Sequence, residues 1–263
     1  MDEQTLDDLI QRMGMDPANW RSQRAWLQNP FVRALAAAAL VDLSPVRRDL
    51  EEAIEGLVAL ARATALLGPR GWAVAGDRLV SGTYAQAVAL IDADADESAV
   101  DQVMTKAWSN RVSLRGTYGP IPWLYGPDDA SINLMIGRIA LLNQALEHHL
   151  RGEYAAAVLI VLSQIDGITL DATKNKHGFF IRADGLPLED SSTIAGLPGN
   201  LSATRDAIKA DRWKTAMSGR LERHPIMHGR ELAYGTEVNS CKTFGLLGSV
   251  IEFLRARYGR SPI

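Results

Sequence analysis

Apolar positions recur along this chain mainly at three- and four-residue steps. Ile132, Ile136, Ile139, Leu142, Leu146 and Leu150 form one such series, and Tyr154, Val158, Val161, Ile165 and Ile168 form the next. The steps match the 3.6-residue helical turn and predict helices over 132–150 and 153–169. Only Arg151 and Gly152 stand between them, which suits a tight turn or a kink in one long helix. Phe244, Leu247, Ile251, Leu254 and Tyr258 predict a last helix, with Thr236 as its cap. Upstream, Ser44–Pro45 opens a helical pattern carrying Leu50, Ile54, Leu57, Ala61 and Ala65, and Gly68–Pro69 closes it. Shorter helices are expected over 5–13, 17–28, 83–92, 97–109 and 201–219, with Asn29–Pro30 as a further helix start.

The breaks between these patterns have their own character. Residues 71–82 read as irregular or extended. Residues 115–129, RGTYGPIPWLYGPDD, read as a loop packed by its own aromatics. Residues 171–200 are a long polar break around Phe179–Ile181, suited to a short hairpin or a flap. The fold class expected is all-α: a helical bundle with additional N-terminal helices. A division into an N-terminal helical region (1–115) and a C-terminal helical domain (130–263) is one arrangement; a single continuous domain is the other.

Composition supports the helical reading. Of 263 residues, 47% are hydrophobic but only 6% aromatic. Alanine and leucine dominate, and both favour helices. One cysteine, Cys241, allows no internal disulfide. The acidic start MDEQTLDDLIQ lacks the basic and apolar regions of a secretory signal. The apolar run FVRALAAAALV contains Arg33 and is too short to span a bilayer. A cytoplasmic protein with no membrane partner is expected. Charge is uneven: residues 1–100 carry 15 acidic and 9 basic side chains, whereas residues 201–263 carry 6 and 11. The basic third suits a polyanion, or is simply a solvated face.

Candidate chemistry concentrates in ERHPIMHGRELAYGTEVNS, residues 222–240, which holds two of the five histidines. His224 and His228 have the spacing of two ligands on a zinc-protease helix. Pro225, however, occupies the place of the catalytic glutamate, so a metal would need Asp166, Glu222, Glu231 or Glu237 brought in by the fold. No glycine-rich dinucleotide or triphosphate loop occurs. Cys241 lies in an apolar helical pattern, the ordinary place for an inert buried thiol. Arg223 and His228 form the remaining pair. A guanidinium holds a phosphodiester through a fixed fork of donors, and an imidazole moves protons near neutral pH. Together they suit metal-free phosphodiester cleavage. The alternative is a helix junction with surface charges. Neither a cofactor nor a metal is expected.

A resemblance sharpens this choice. RHPIMH, the continuation through YGTEVNSCKTFGLL, and the upstream helix GEYAAAVLIVLSQIDGI are similar to motifs of the higher eukaryotes and prokaryotes nucleotide-binding (HEPN) superfamily, of the abortive-infection type. The similarity covers residues 130–258. It implies a helical bundle, a metal-independent endoribonuclease acting by 2′-OH attack, often homodimeric, and a toxin or antiphage defence role. The motif arginine falls on Arg223 and the motif histidine on His228. His224 takes the polar position where Asn or Asp is usual, and Asp166 the acidic position where Glu is usual. Tyr234, Thr236, Glu237 and Asn239 are supporting positions of the same stretch. RNA, a second copy of the chain and a protein regulator or antitoxin are the implied partners. The competing expectation is a non-catalytic helical module that binds a nucleotide or a protein, with Asn239 and Glu237 merely exposed in the first turn of the last helix.

Overall fold

The computed structural model of the chain describes residues 58–75, 81–174, 176–180, 186–190, 192–209 and 217–259. These residues form an all-α bundle, with no β-sheet among them. A helix over 58–67 (α1) runs into a short 3-10 turn, Gly68–Arg70, and Gly71 in the left-handed region ends it. There follow α2 (Ser81–Asp92), α3 (Glu97–Trp108) and α4 (Arg111–Thr117), then a 3-10 turn at Ile121–Leu124. The long helices α5 (Asp129–Leu150) and α6 (Tyr154–Ala172) come next, then α7 (Leu201–Lys209), α8 (Arg223–Met227) and α9 (Glu237–Tyr258).

Local chemistry explains the starts. The carboxylates of Asp96 and Asp128, the Asn110 amide oxygen and the Thr236 hydroxyl each accept a backbone N–H that the first turn leaves unpaired. Gly152, at φ +76°, turns the chain back between α5 and α6, so these are two helices joined by a tight turn.

Helix α9 is the axis of the bundle. Its residues from Asn239 to Ile251 are all buried, not just one stripe, because α6 covers one side and α3 and α4 others. The main core joins Leu142, Leu146, Val158, Val161, Ile165 and Ile168 of α5 and α6 to Phe244, Leu247 and Phe253 of α9. A second cluster places Leu60, Leu67, Trp72, Tyr84, Met104 and Trp108 around Cys241, so α9 serves both. Polar ties reinforce this. The Trp72 Nε1 donates to Asp101 at 2.7 Å, and Asp101 also pairs with the Lys242 ammonium at 3.1 Å. The Asn200 amide bonds both backbone groups of Val74.

Several sequence expectations need correction. Much of 115–129 is helical turn: α4 reaches Thr117, and Ile121–Leu124 forms a 3-10 turn despite Pro122. Pro120 and Pro122 stop α4 from continuing but preset the φ of the next turn. The described part of the helix expected over 201–219 ends at Lys209, and residues 217–220 are not helical. The described parts of 171–200 contain turns and no hairpin. The helices expected over 5–13 and 17–28, the starts at Asn29–Pro30 and Ser44–Pro45, and the run around Arg33 lie outside the described residues.

Helix α6 is long and apolar enough to cross a membrane by length and composition. In the bundle it packs between α5 and α9, with Val158, Val161, Ile165 and Ile168 buried. The N-terminal half of α5 is different. Ile132, Leu134 and Ile136 are exposed there and Leu141 just beyond, and Asn133, Gly137, Ala140 and Gln144 around them are exposed and uncharged.

Candidate active site

The stretch singled out in the sequence folds as a short helix followed by a strap. α8 begins at Arg223, and Pro225 is its third residue. The first turn of a helix has no internal partner for its N–H groups, so a proline there breaks nothing. The chain then turns at His228 and Gly229, where φ is +63° and a side chain would be strained. The Arg230 amide closes this turn on the Pro225 carbonyl at 2.7 Å.

Arg223 is anchored to α6. Its Nη2 donates to Asp166 Oδ2 at 2.7 Å, across 57 positions of sequence. The other carboxylate oxygen, Oδ1, accepts the Phe180 amide at 3.2 Å. The Phe180 ring lies under the guanidinium, 5.2 Å from ring centroid to Cζ. Asp166 thus holds the arginine and the residue that stacks on it. Nε of Arg223 is buried with no hydrogen-bond acceptor among the described residues. Asp166 therefore takes one guanidinium nitrogen, and the buried Nε has no partner of its own among the described residues.

The two histidines share one side of α8. The ring centroids of His224 and His228 lie 4.5 Å apart, with the planes tilted by 54°. His224 is half-buried and His228 exposed, so His228 is the one that meets solvent. No group of three or more His, Cys, Asp or Glu side chains among the described residues is placed to hold a metal ion.

Glu231, weighed in the sequence only as a metal ligand, has a different task. It is fully buried, and its carboxylate accepts the Ser218 hydroxyl at 2.7 Å and the amides of Ser218, Gly219 and Ala233 at 2.9–3.2 Å. Burial alone would push its pKa up. The Ser218 hydroxyl and the three amides outweigh burial and hold the carboxyl below its ordinary value. The chain before α8 is thereby clasped to the chain after it.

The supporting positions divide. Thr236 caps α9 by accepting the Asn239 amide at 3.2 Å. Asn239 is buried, not exposed, and its Nδ2 donates to the carbonyls of Gly219 and Tyr234 at 2.8 and 2.9 Å. Tyr234 is half-buried against the main core, and burial raises its pKa. Glu237 is exposed in the first turn of α9. Gly235 rests on the first turn of α6: a Cβ there would lie 3.0 Å from the Ala155 Cβ.

Two further residues, His149 and Ser240, carry polar work that the sequence did not signal. His149, buried at the end of α5, has its Nδ1 2.8 Å from the Ser240 hydroxyl. Burial depresses its pKa against a hydrogen bond to the Ser109 backbone and the charge of Glu237. Cys241 is buried beside it in α9, and burial pushes its thiol far up, the opposite of an activated nucleophile. Comparison of the chain with protein-family models, with curated proteins and with solved structures returns no significant match.

Proposed function

We propose that the protein is a metal-independent endoribonuclease of the HEPN type. The observation that carries this reading is the anchored Arg223 at the start of α8 and the exposed His228 that follows its last residue. In this reading a phosphodiester meets the partly exposed Arg223 side chain, which stabilises charge on the phosphoryl oxygens as phosphorus becomes five-coordinate. An imidazole takes the ribose 2′-OH proton, and the 2′-oxygen attacks phosphorus. The P–O5′ bond breaks, and the 5′-oxygen leaves with a proton. The products are a 2′,3′-cyclic phosphate and a 5′-hydroxyl. The role falls first to His228; His224, with its ring in contact, is the second acid or base. Asp166 positions Arg223 and does not touch the reacting atoms.

The test is cleavage of mixed RNA in EDTA by wild type, Arg223→Ala and His228→Ala proteins, with end-group analysis. Cyclic phosphate ends that both substitutions abolish are the expected result. Cleavage unchanged in both variants, or cleavage lost to EDTA alone, overturns the reading.

The family reading also implies a homodimer, a toxin or antiphage role, and a cognate regulator. The uncharged exposed face of α5 supports pairing with another protein surface. The same face favours the second reading, a non-catalytic interaction module. In that case the Asp166–Arg223 pair is a structural tie.

A further inference from the structure

Burial sorts the charges around α8. In sequence, SGRLERHPIMHGREL sets three cations, Arg220, Arg223 and Arg230, against two carboxylates, Glu222 and Glu231, if His is neutral. In the fold, Glu222 and Glu231 are both buried. Arg220, Arg230 and His228 are exposed. The surface is more cationic than the sequence count.

The other described cations of the basic C-terminal third are engaged. Among the described residues, Arg205 pairs with Asp206, Arg223 with Asp166, and Lys242 with Asp101. Arg255 and Arg257 lie over the rings of Trp123 and Tyr258. No described carboxylate or ring engages the guanidinium of Arg220 or Arg230. These two flank the candidate site directly: the Glu222 amide bonds the Arg220 carbonyl just before α8, and the Arg230 amide bonds the Pro225 carbonyl just after it. Exposed apolar side chains accompany them, namely Met217, Met227 and Leu232. The Glu231 clasp holds the chain beside Met217 to the chain beside Leu232.

We infer that Arg220 and Arg230 are phosphate contacts for a single-stranded RNA that crosses α8, with the apolar side chains covering the faces of its unstacked bases. This rests on the nuclease reading and gives it a substrate class. Two physical reasons favour a single strand. A duplex hides its base faces, so exposed apolar groups beside the cations would gain nothing from it. The 2′-oxygen must also line up with the P–O5′ bond, which a flexible strand permits and a stacked A-form helix opposes.

The experiment measures binding apart from cleavage. A fluorescein-labelled 2′-O-methyl RNA cannot undergo 2′-attack, and its anisotropy is followed against salt, as a single strand and as a duplex. Wild type protein binds the single strand more tightly. Arg220→Ala and Arg230→Ala each flatten the dependence of log K on log salt by about 0.7, and the double variant by about 1.4. On cleavable RNA they raise KM more than they lower kcat. Arg220→Glu with Arg230→Glu, both exposed and so safe for folding, weakens binding further. A double variant with wild type affinity and salt slope, or tighter binding of duplex, overturns the inference. Binding as expected by a wild type protein that cleaves no RNA sinks the nuclease reading alone. Cleavage that the double variant retains in full sinks this inference alone.

Discussion

Asp166 and Arg223 meet at 2.7 Å, and the same carboxylate takes the amide of the phenylalanine that stacks on the arginine. The pair is only partly shielded, at 20% and 28% side-chain exposure. Asp166→Asn keeps the size and loses the charge, so the expected loss of stability is modest, about 1–2 kcal/mol. RNA cleavage is expected to fall by about tenfold, less than the 10²–10³-fold typical of removing a donor to the transition state as in Arg223→Ala. Urea melts beside initial rates separate the two effects. Equal loss of cleavage in Asp166→Asn and Arg223→Ala would count against a purely positioning role.

Glu231 makes the strap acid-sensitive. Its folded pKa is depressed, so its stabilising contribution is complete above the ordinary glutamate range, about 4.3, and is lost as pH falls from there through the folded value. Thermal melts of wild type should show that loss, and Glu231→Gln should be flatter over the same window. At neutral pH Glu231→Ala leaves buried donors unpaired and is expected to cost about 2–4 kcal/mol. A neutral-pH melting temperature unchanged by Glu231→Ala would contradict the clasp.

His149 acts in a different window. Its folded pKa is lowered, mainly by burial, so the unfolded chain binds the extra proton first as pH drops. Stability present above the ordinary histidine range, about 6.5, is therefore lost below it. The slope is about 1.4 kcal/mol per pH unit until the folded ring itself protonates. Urea midpoints between neutral and mildly acidic pH test this. His149→Gln should remove that slope while lowering stability at all pH values, because the Ser240 contact is also changed.

The exposed face of α5 predicts association. Ile136→Glu places a charge in the middle of the uncharged arc formed with Ile132, Ala140 and Leu141. Light scattering is expected to give twice the chain mass for wild type and the single mass for the variant. A wild type monomer at all concentrations would remove the pairing.

Much of the bundle was legible because burial leaves a period in the sequence. The steps through Leu142, Leu146, Val158, Val161 and Ile165 marked residues that are buried in α5 and α6. The same period ran through Ile132 and Ile136, which are exposed, since periodicity marks a face and not what covers it. Residues 111–117 were passed over for their small size and the glycine- and proline-rich run after them, though Asn110 was a readable cap. In the candidate site, Arg223, His224 and His228 stood out through motif resemblance, and so did Asp166. Glu231 and Asn239 did not reveal their tasks, because most of their partners are backbone groups that any sequence supplies. His149 meets Ser240 across 91 positions, a distance over which composition carries no signal.

The strap from Arg223 to Gly235 touches α6 at two places, Asp166 and Ala155. Eleven helical residues separate them, about 16 Å of rigid rod. These two mounts of the candidate chemistry therefore sit on one beam, like an instrument on an optical rail. A slip of α6 by a single turn would undo both mounts together, so inactivation by that route would be abrupt rather than graded.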